Sequence, residues 1–151
     1  MKAVLQRVTH AQVVVEGELI SKIEQGFMIL LGVGNDDTKE DADVLSKKIS
    51  GMRVFEYENG KMNLSLTDIG GSILCISQFT LYADCRKGRR PSFINAGAPD
   101  MANELYEYFC ERIKNDGIEY VKKGIFGADM KVSLLNDGPV TIILDSKELL
   151  K

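Results

Sequence analysis

Two short segments of the chain bring together residue types that can do chemistry. The first, Ser77-Gln78-Phe79-Thr80-Leu81, directly follows the apolar run 73–76, which is typical of a buried strand. Hydroxyl and amide side chains would then meet at a strand end, where backbone N–H groups can lack partners. Such N–H groups can stabilise the oxyanion that forms on a carbonyl under attack. Taken alone, the same pattern also fits an ordinary strand end.

The second segment, Asn136-Asp137-Gly138-Pro139-Val140-Thr141, also has two interpretations. Asp-Gly is a strong signal for a two-residue hairpin loop, and Pro139 can open the next strand where no N–H donor is needed. Alternatively, Gly138-Pro139 fixes two backbone carbonyls rigidly at a binding site. An X-Pro bond can be trans or cis, and the sequence does not show which isomer is present.

The common catalytic and ligand-binding motifs are absent from the sequence. A Ser-His-Asp triad would have to use His10, the single histidine, which we expect to be structural or at the surface. There is no Gly-x-Ser-x-Gly elbow, no His-Glu-x-x-His motif and no phosphate-binding glycine loop. Cys75, Cys85 and Cys110 match neither a zinc pattern nor a Cys-x-x-Cys pair and are expected to be thiols in a reducing cytosol. We therefore expect neither a metal nor a cofactor.

Hydrophobic periodicity predicts the elements that must position these segments. Thr38 and Asp41 form a variant of the capping box, and apolar residues at 42, 45, 49 and 52 follow on one face of a helix. A second helix is predicted from Asp100 to Lys114, with apolar residues at steps of four and Gly117 after its end. Strands are predicted at 2–15, 19–24, 27–33, 53–55, 73–81, 118–124, 130–135 and 140–144.

Length and composition indicate one ordinary domain over residues 1–151. We predict a mixed α/β (α+β) fold, with a curved, largely antiparallel sheet or barrel and two helices packed on it. The N-terminus has no signal-peptide core, and the longest apolar run, 27–33, is far too short to span a bilayer. The protein is therefore expected to be cytoplasmic, with no membrane partner.

The charge balance bears on nucleic-acid binding. A net charge of −3 argues against a protein that depends on nonspecific affinity for nucleic acids. A local basic cluster, Arg86-Lys87-Gly88-Arg89-Arg90, is nevertheless present in the long connection before the second helix. It is either a solvated loop or a surface that meets phosphates.

Taken together, the two segments resemble the paired signatures of the D-aminoacyl-tRNA deacylase family, Ser-Gln-x-Thr-Leu and Asn-x-Gly-Pro-x-Thr, in the family's order. The start of the chain, Met1–Val8, is similar to the family's first strand. Gly124–Met130 resembles its pocket-lining segment, and Arg89–Phe93 resembles the loop before its second helix. The similarity covers essentially the whole chain, without departure at the motif positions.

This resemblance implies an activity and an assembly. The family hydrolyses the ester that joins a D-amino acid to the 3′-terminal ribose of tRNA, and it also removes mischarged glycine. The resemblance implies a homodimer in which Gly138-Pro139, in cis, reaches into the partner's pocket. Its carbonyl oxygens would lie against the substrate's α-carbon, where an L side chain would collide and a hydrogen atom would fit.

The resemblance also suggests roles for individual residues. Backbone N–H groups of Phe79 and Thr80 would face the substrate carbonyl oxygen, and Ser77 and Gln78 would shape the site around an attacking water. Phe126 and Met130 would line the pocket for the terminal adenine. Arg7 and Asn136 would belong to the substrate pocket. The tRNA acceptor-stem phosphates would be met by Arg86, Lys87, Arg89 and Arg90.

Three alternatives stay open. Thr80 could be a covalent nucleophile, although the sequence offers no base to activate it. The chain could be a nucleic-acid-binding module without catalytic activity, which a long basic or metal-binding tail would favour; we expect no tail after the last strand. It could also be an esterase that acts on small D-amino-acid esters.

Overall fold

The computed structural model describes residues 1–151 and contains eight strands, three α-helices and one 3₁₀ helix. The strands are β1 (Lys2–Val15), β2 (Glu18–Ile23), β3 (Gly26–Gly32), β4 (Phe55–Glu56), β5 (Met62–Leu64), β6 (Ser72–Ser77), β7 (Tyr120–Lys123) and β8 (Lys131–Asp145). The helices are α1 (Lys39–Gly51), α2 (Pro99–Asn115) and α3 (Ser146–Leu149), and the 3₁₀ helix is Phe79–Tyr82. None of the helices has both the length and the apolar character needed to cross a membrane.

Strand β1 organises the main sheet because both of its edges are paired. On one edge, β3 pairs antiparallel with its first half and β2 with its second half. On the other edge, β8 pairs antiparallel along almost its whole length. Strands β6 and β7 extend the sheet beyond β3 in parallel, and Ser21 Oγ on β2 donates to the Lys123 carbonyl on β7 at 2.6 Å. The predicted curved, largely antiparallel sheet is confirmed, and this contact nearly closes it into a barrel.

Buried side chains lie on both faces of the curved sheet. On β3 and β6, alternate residues belong to two separate apolar clusters, as the two-residue period of a strand requires. The larger cluster includes the sheet face covered by α1 and α2, whose predicted apolar positions 42, 45, 49, 105, 109 and 113 are all buried. Met52 and Met101, predicted for the same stripes, are only partly buried, and Met52 lies beyond the end of α1.

A polar network joins the start of α1 to the end of the chain. The predicted capping box is present, with Asp41 Oδ2 accepting from the Thr38 N–H at 2.8 Å. The buried Asp41 carboxylate also accepts from Ser146 Oγ at 2.6 Å and from Lys147 Nζ. These bonds hold α3 against α1. Helix α3 was not predicted, because four residues are too few to produce a periodic pattern.

Two predicted elements are wrong in ways that matter for the site. The strand predicted at 73–81 ends at Ser77 and continues as the 3₁₀ helix. The strands predicted at 130–135 and 140–144 are one strand, β8, and no hairpin turn separates them. Both halves of β8 pair with β1, so the Asp-Gly signal marks an interruption within one ladder. The strands predicted at 53–55 and 118–124 are shorter and lie at Phe55–Glu56 and Tyr120–Lys123.

The hydrogen bonds to Asp41 make stability depend on pH. Burial alone would raise the pKa of Asp41, but the bonds from Ser146, the Thr38 N–H and Lys147 outweigh it and lower the pKa from 3.8 to about 2. Because the folded-state pKa lies below the unfolded one, this stabilisation is complete above about pH 4 and is lost as the pH falls towards 2. We expect Asp41→Asn to lower the free energy of unfolding by about 2 kcal/mol at pH 6.

Urea unfolding at pH 6 and at pH 2.5 measures this effect; Asp36→Asn, which changes an exposed carboxylate near the start of the same helix, is the control. The deficit of Asp41→Asn should shrink at the lower pH. A deficit of equal size at both pH values would contradict the assignment.

Candidate active site

A cavity of about 710 Å³ lies between the end of β6, the 3₁₀ helix, the start of α2 and the segment 126–130. Ser77, Gln78 and Phe79 line it on one side, and Phe126 and Met130 line it on the other. Five of the predicted site residues are thus brought together from segments about 50 positions apart in the sequence. Since 13 of the 19 lining residues are hydrophobic, the cavity suits a largely apolar or aromatic ligand held by a few polar groups.

Two adjacent backbone N–H groups, one of them on the lining residue Phe79, have no partner within the chain. Phe79 and Thr80 open the 3₁₀ helix, so its own hydrogen bonds cannot reach their N–H groups. No side chain or turn carbonyl accepts a hydrogen bond from either one. By contrast, the N–H of Gln78 donates to the Leu31 carbonyl at 2.8 Å, and the N–H of Leu81 donates to Gln78. Adjacent free N–H groups of this kind can stabilise an oxyanion.

The Thr80 side chain has no base beside it. Its hydroxyl oxygen accepts from Gln78 Nε2 at 2.5 Å, and no histidine, lysine or carboxylate bonds to it. His10 is exposed, and its ring makes one side-chain hydrogen bond, with Thr9 Oγ1 at 3.4 Å. The arrangement that nucleophilic catalysis by a hydroxyl needs is therefore not found around Thr80.

Aromatic rings line both sides of the cavity. Phe79 and Phe93 make an edge-to-face contact with ring centroids 4.9 Å apart, and Tyr106 lies 6.2 Å from Phe126. Burial raises the pKa of Tyr106, so its hydroxyl stays protonated and donates to the Cys75 carbonyl at 2.7 Å. Sequence reasoning did not identify Tyr106, because its position on α2 continues the apolar face that packs against the core.

The second motif forms a bulge in the β1–β8 ladder, defined here as residues 137–140. Gln6 pairs with Thr141 and Val8 with Asn136, so these four residues lie opposite Arg7 alone. The Arg7 side chain is buried and donates from Nε to the Asp137 carbonyl at 2.9 Å. Its other nitrogens reach the β4 hairpin, with Nη1 donating to the Val54 carbonyl at 2.6 Å and Nη2 contacting Glu56 at 3.5 Å.

Asn136 closes the bulge from its other end. Its Oδ1 accepts from the Val140 N–H at 2.8 Å, and its Nδ2 donates to Thr141 Oγ1 at 2.9 Å. The peptide bond between Gly138 and Pro139 is cis, and both residues are exposed. A Cβ atom on Gly138 would lie 2.8 Å from the Val140 side chain and 3.2 Å from Arg7 Nη2, so the position requires glycine.

Apart from Thr80, which follows Phe79 in the 3₁₀ helix but does not line the cavity, the predicted site residues fall into three groups within one chain. Only Ser77, Gln78, Phe79, Phe126 and Met130 line the cavity. Arg7, Asn136, Gly138 and Pro139 build the bulge and do not line the cavity of their own chain. Arg86, Lys87, Arg89 and Arg90 lie in an exposed loop, where Arg86 pairs with Asp84 at 2.9 Å and an Asp84–Ser92 bridge closes the base.

Comparison with known proteins identifies a family that the chain matches. The family model for D-Tyr-tRNA(Tyr) deacylase matches residues 4–145. A D-aminoacyl-tRNA deacylase from Thermosipho africanus is 58% identical over 149 residues, which cover 99% of both chains. Another, from Thermus aquaticus, is 55% identical over 148 residues, which cover 98% of this chain and 97% of the relative.

Two solved structures are similar over nearly the whole chain. The c-Myc DNA Unwinding Element Binding Protein is 45% identical, with a TM-score of 0.90 over 96% of this chain and 98% of that one. A probable eukaryotic D-amino acid tRNA deacylase has a TM-score of 0.79 at 20% identity, over 95% and 97% of the two chains. At that identity, the second likeness concerns the fold alone.

Proposed function

The chain belongs to the D-Tyr-tRNA(Tyr) deacylase family, and we propose that it hydrolyses the ester bond between a D-amino acid and the 3′-terminal ribose of tRNA. The observation that carries this proposal is the pair of unpartnered N–H groups of Phe79, which lines the aromatic cavity, and of Thr80, the next residue in the 3₁₀ helix. Such a site suits a reaction whose transition state carries negative charge on a carbonyl oxygen.

The proposed reaction relies on position rather than on a strong base. An aminoacyl ester is already activated, so holding it beside water and stabilising the oxyanion can suffice. Water attacks the carbonyl carbon, helped by the neighbouring ribose 2′-OH. The bond from this carbon to the ribose 3′-oxygen then breaks, and a proton from the water ends on that oxygen. Ser77 and Gln78 shape the wall, while Phe126 and Met130 contact the terminal adenine.

Stereochemical selection is assigned to Gly138 and Pro139. Their exposure on a bulge outside their own cavity supports a homodimer in which they enter the partner's cavity. Strand β8 pairs only with β1, and Ile143 on it is 73% exposed, so this region offers a free edge and apolar surface to a second copy. Rigid carbonyls at the α-carbon would exclude L residues, while D residues and glycine would fit.

The basic loop is assigned to the tRNA backbone. Arg86 is neutralised by Asp84, which leaves Lys87, Arg89 and Arg90 exposed to meet acceptor-stem phosphates. A tRNA substrate also favours a cytoplasmic location. The name of one structural relative refers to DNA binding, but a net charge of −3 argues against nonspecific affinity for a nucleic acid, so we favour a specific tRNA substrate.

The first prediction concerns substrate choice. The protein should release D-tyrosine from D-tyrosyl-tRNA and leave L-tyrosyl-tRNA intact, as followed by loss of the labelled ester with time. Free D-tyrosine methyl ester should be hydrolysed far more slowly, because it lacks the adenosine that the cavity would hold. Rapid turnover of the free ester would favour a small-ester esterase, and hydrolysis of neither tRNA would refute the proposed function.

The second prediction separates the backbone mechanism from a covalent one. Thr80→Ala keeps both N–H groups and removes only the bond between Gln78 Nε2 and Thr80 Oγ1, so kcat/KM should fall by no more than about tenfold. Single-turnover kinetics should show no acyl-enzyme in the wild-type protein. Complete loss of turnover in a folded variant that still binds tRNA would contradict the backbone assignment.

The third prediction concerns the bulge. Gly138→Ala places a Cβ too close to Val140 and Arg7, so the bulge must shift and the ratio of L- to D-tyrosyl-tRNA turnover should rise by at least about tenfold. Gly17→Ala is the matched control, since Gly17 also has a positive φ but has no neighbour within 4 Å of the added atom. Unchanged discrimination in Gly138→Ala would refute the assigned role.

A further inference from the structure

The 3₁₀ helix that carries the free N–H groups ends at Tyr82, a half-buried residue that does not line the cavity. We propose that Tyr82 is a positioning residue, which sets the orientation of the Phe79 and Thr80 N–H groups by packing against Gly34. The inference rests on the proposed function, since it concerns how the proposed oxyanion donors are held in place.

The first support is the close approach between Tyr82 and Gly34. A Cβ atom on Gly34 would lie 2.9 Å from both Cε1 and Cζ of the Tyr82 ring and 3.0 Å from its hydroxyl oxygen. Real Cβ atoms are almost never this close to another heavy atom. The ring therefore occupies the space that any larger residue at position 34 would need.

The second support is that other groups fix the ring from different directions. Lys2 Nζ lies over the ring, 4.8 Å from its centroid, within the range of a cation–π contact. Asp37 Oδ2 lies 3.5 Å from the Tyr82 hydroxyl. The Asp37 carboxylate is itself buried and fixed, because it accepts from the Gly34 N–H at 2.6 Å and from the Met1 ammonium group at 2.7 Å.

The third support is a second glycine beside the same helix. A Cβ atom on Gly32 would lie 3.0 Å from the Leu81 Cβ and 3.0 Å from the Gln78 carbonyl oxygen. Gly32 and Gly34 thus let the whole 3₁₀ helix pack closely on the chain at the end of β3. Val33, between them, lines the cavity, and its carbonyl accepts from the Gly97 N–H at 2.9 Å.

A four-residue helix transmits a displacement of its last residue to its first. In a 3₁₀ helix, residue i+3 lies directly above residue i, and Tyr82 is three residues after Phe79. Pushing the Tyr82 ring away from Gly34 should therefore tilt the two N–H groups relative to the cavity. The opposite wall, which Phe126 and Met130 form, belongs to the segment between β7 and β8 and should stay in place.

The test compares Gly34→Ala and Tyr82→Leu with Tyr82→Phe, which keeps the ring. In the first two variants kcat for D-tyrosyl-tRNA should fall at least about tenfold, because displacements near 1 Å cost up to about 100-fold. KM and the Kd for a non-hydrolysable 3′-amide analogue of D-tyrosyl-adenosine should stay within about twofold, because the wall that Phe126 and Met130 form, assigned to the adenine, is retained. Tyr82→Phe should keep most of the wild-type kcat.

The control is Gly51→Ala, at a glycine with no atom within 4 Å of the added Cβ. Amide chemical shifts give a readout that needs no turnover, and the Phe79 and Thr80 signals should move in Gly34→Ala but not in Gly51→Ala. If wild-type protein lacked turnover, the proposed function would fail on its own. If the signals of both amides stayed unchanged, or kcat fell only with the folded fraction, the positioning role would be refuted.

Discussion

The structure depends on one constraint: strand β1 is hydrogen-bonded along both edges. Strands β3 and β2 share one edge, and β8 occupies the other from Lys2 to Val14. The register of β8 is therefore fixed on both sides of Arg7, and the four residues 137–140 must leave the ladder between these fixed points. The buried Arg7 guanidinium donates to the carbonyl of Asp137, the first of these residues. This hydrogen bond helps to compensate the cost of burying the charge where the chain leaves the sheet.

The cavity results from a similar limit on the parallel pair β3 and β6. The last bond of that ladder joins the Gln78 N–H to the Leu31 carbonyl, and β3 ends at Gly32. With no further partner strand, the chain turns into a 3₁₀ helix, and its first two N–H groups are left without carbonyls. The proposed oxyanion donors therefore belong to the main chain, and a mechanism that uses them would need no familiar set of catalytic side chains.

Much of the fold could be predicted from the sequence, because β1, α1 and α2 have regular apolar periods and α1 has a recognisable cap. The bulge could not be recognised, since Asp137-Gly138 gives the same local signal in a hairpin turn and the partner strand is about 130 residues away. The 3₁₀ helix could not be predicted for a related reason. It begins where β6 runs out of partner residues on β3, and the local sequence does not show where that pairing ends. Tyr106 could not be told from a core residue because it is one.

The main-chain character of the proposed oxyanion donors has a consequence for how the site can vary. An amide N–H is present at every residue except proline, so most substitutions at positions 79 and 80 leave the donors in place. Natural selection would then act less on the identity of these two side chains than on the glycines beneath them, where a single added methyl group changes the path of the backbone. An amide N–H also does not titrate between acid and alkaline denaturation. A change of pH would therefore alter the protonation of the substrate and the water before it altered these donors. Such a site would tolerate many substitutions, because few of its functional groups belong to side chains.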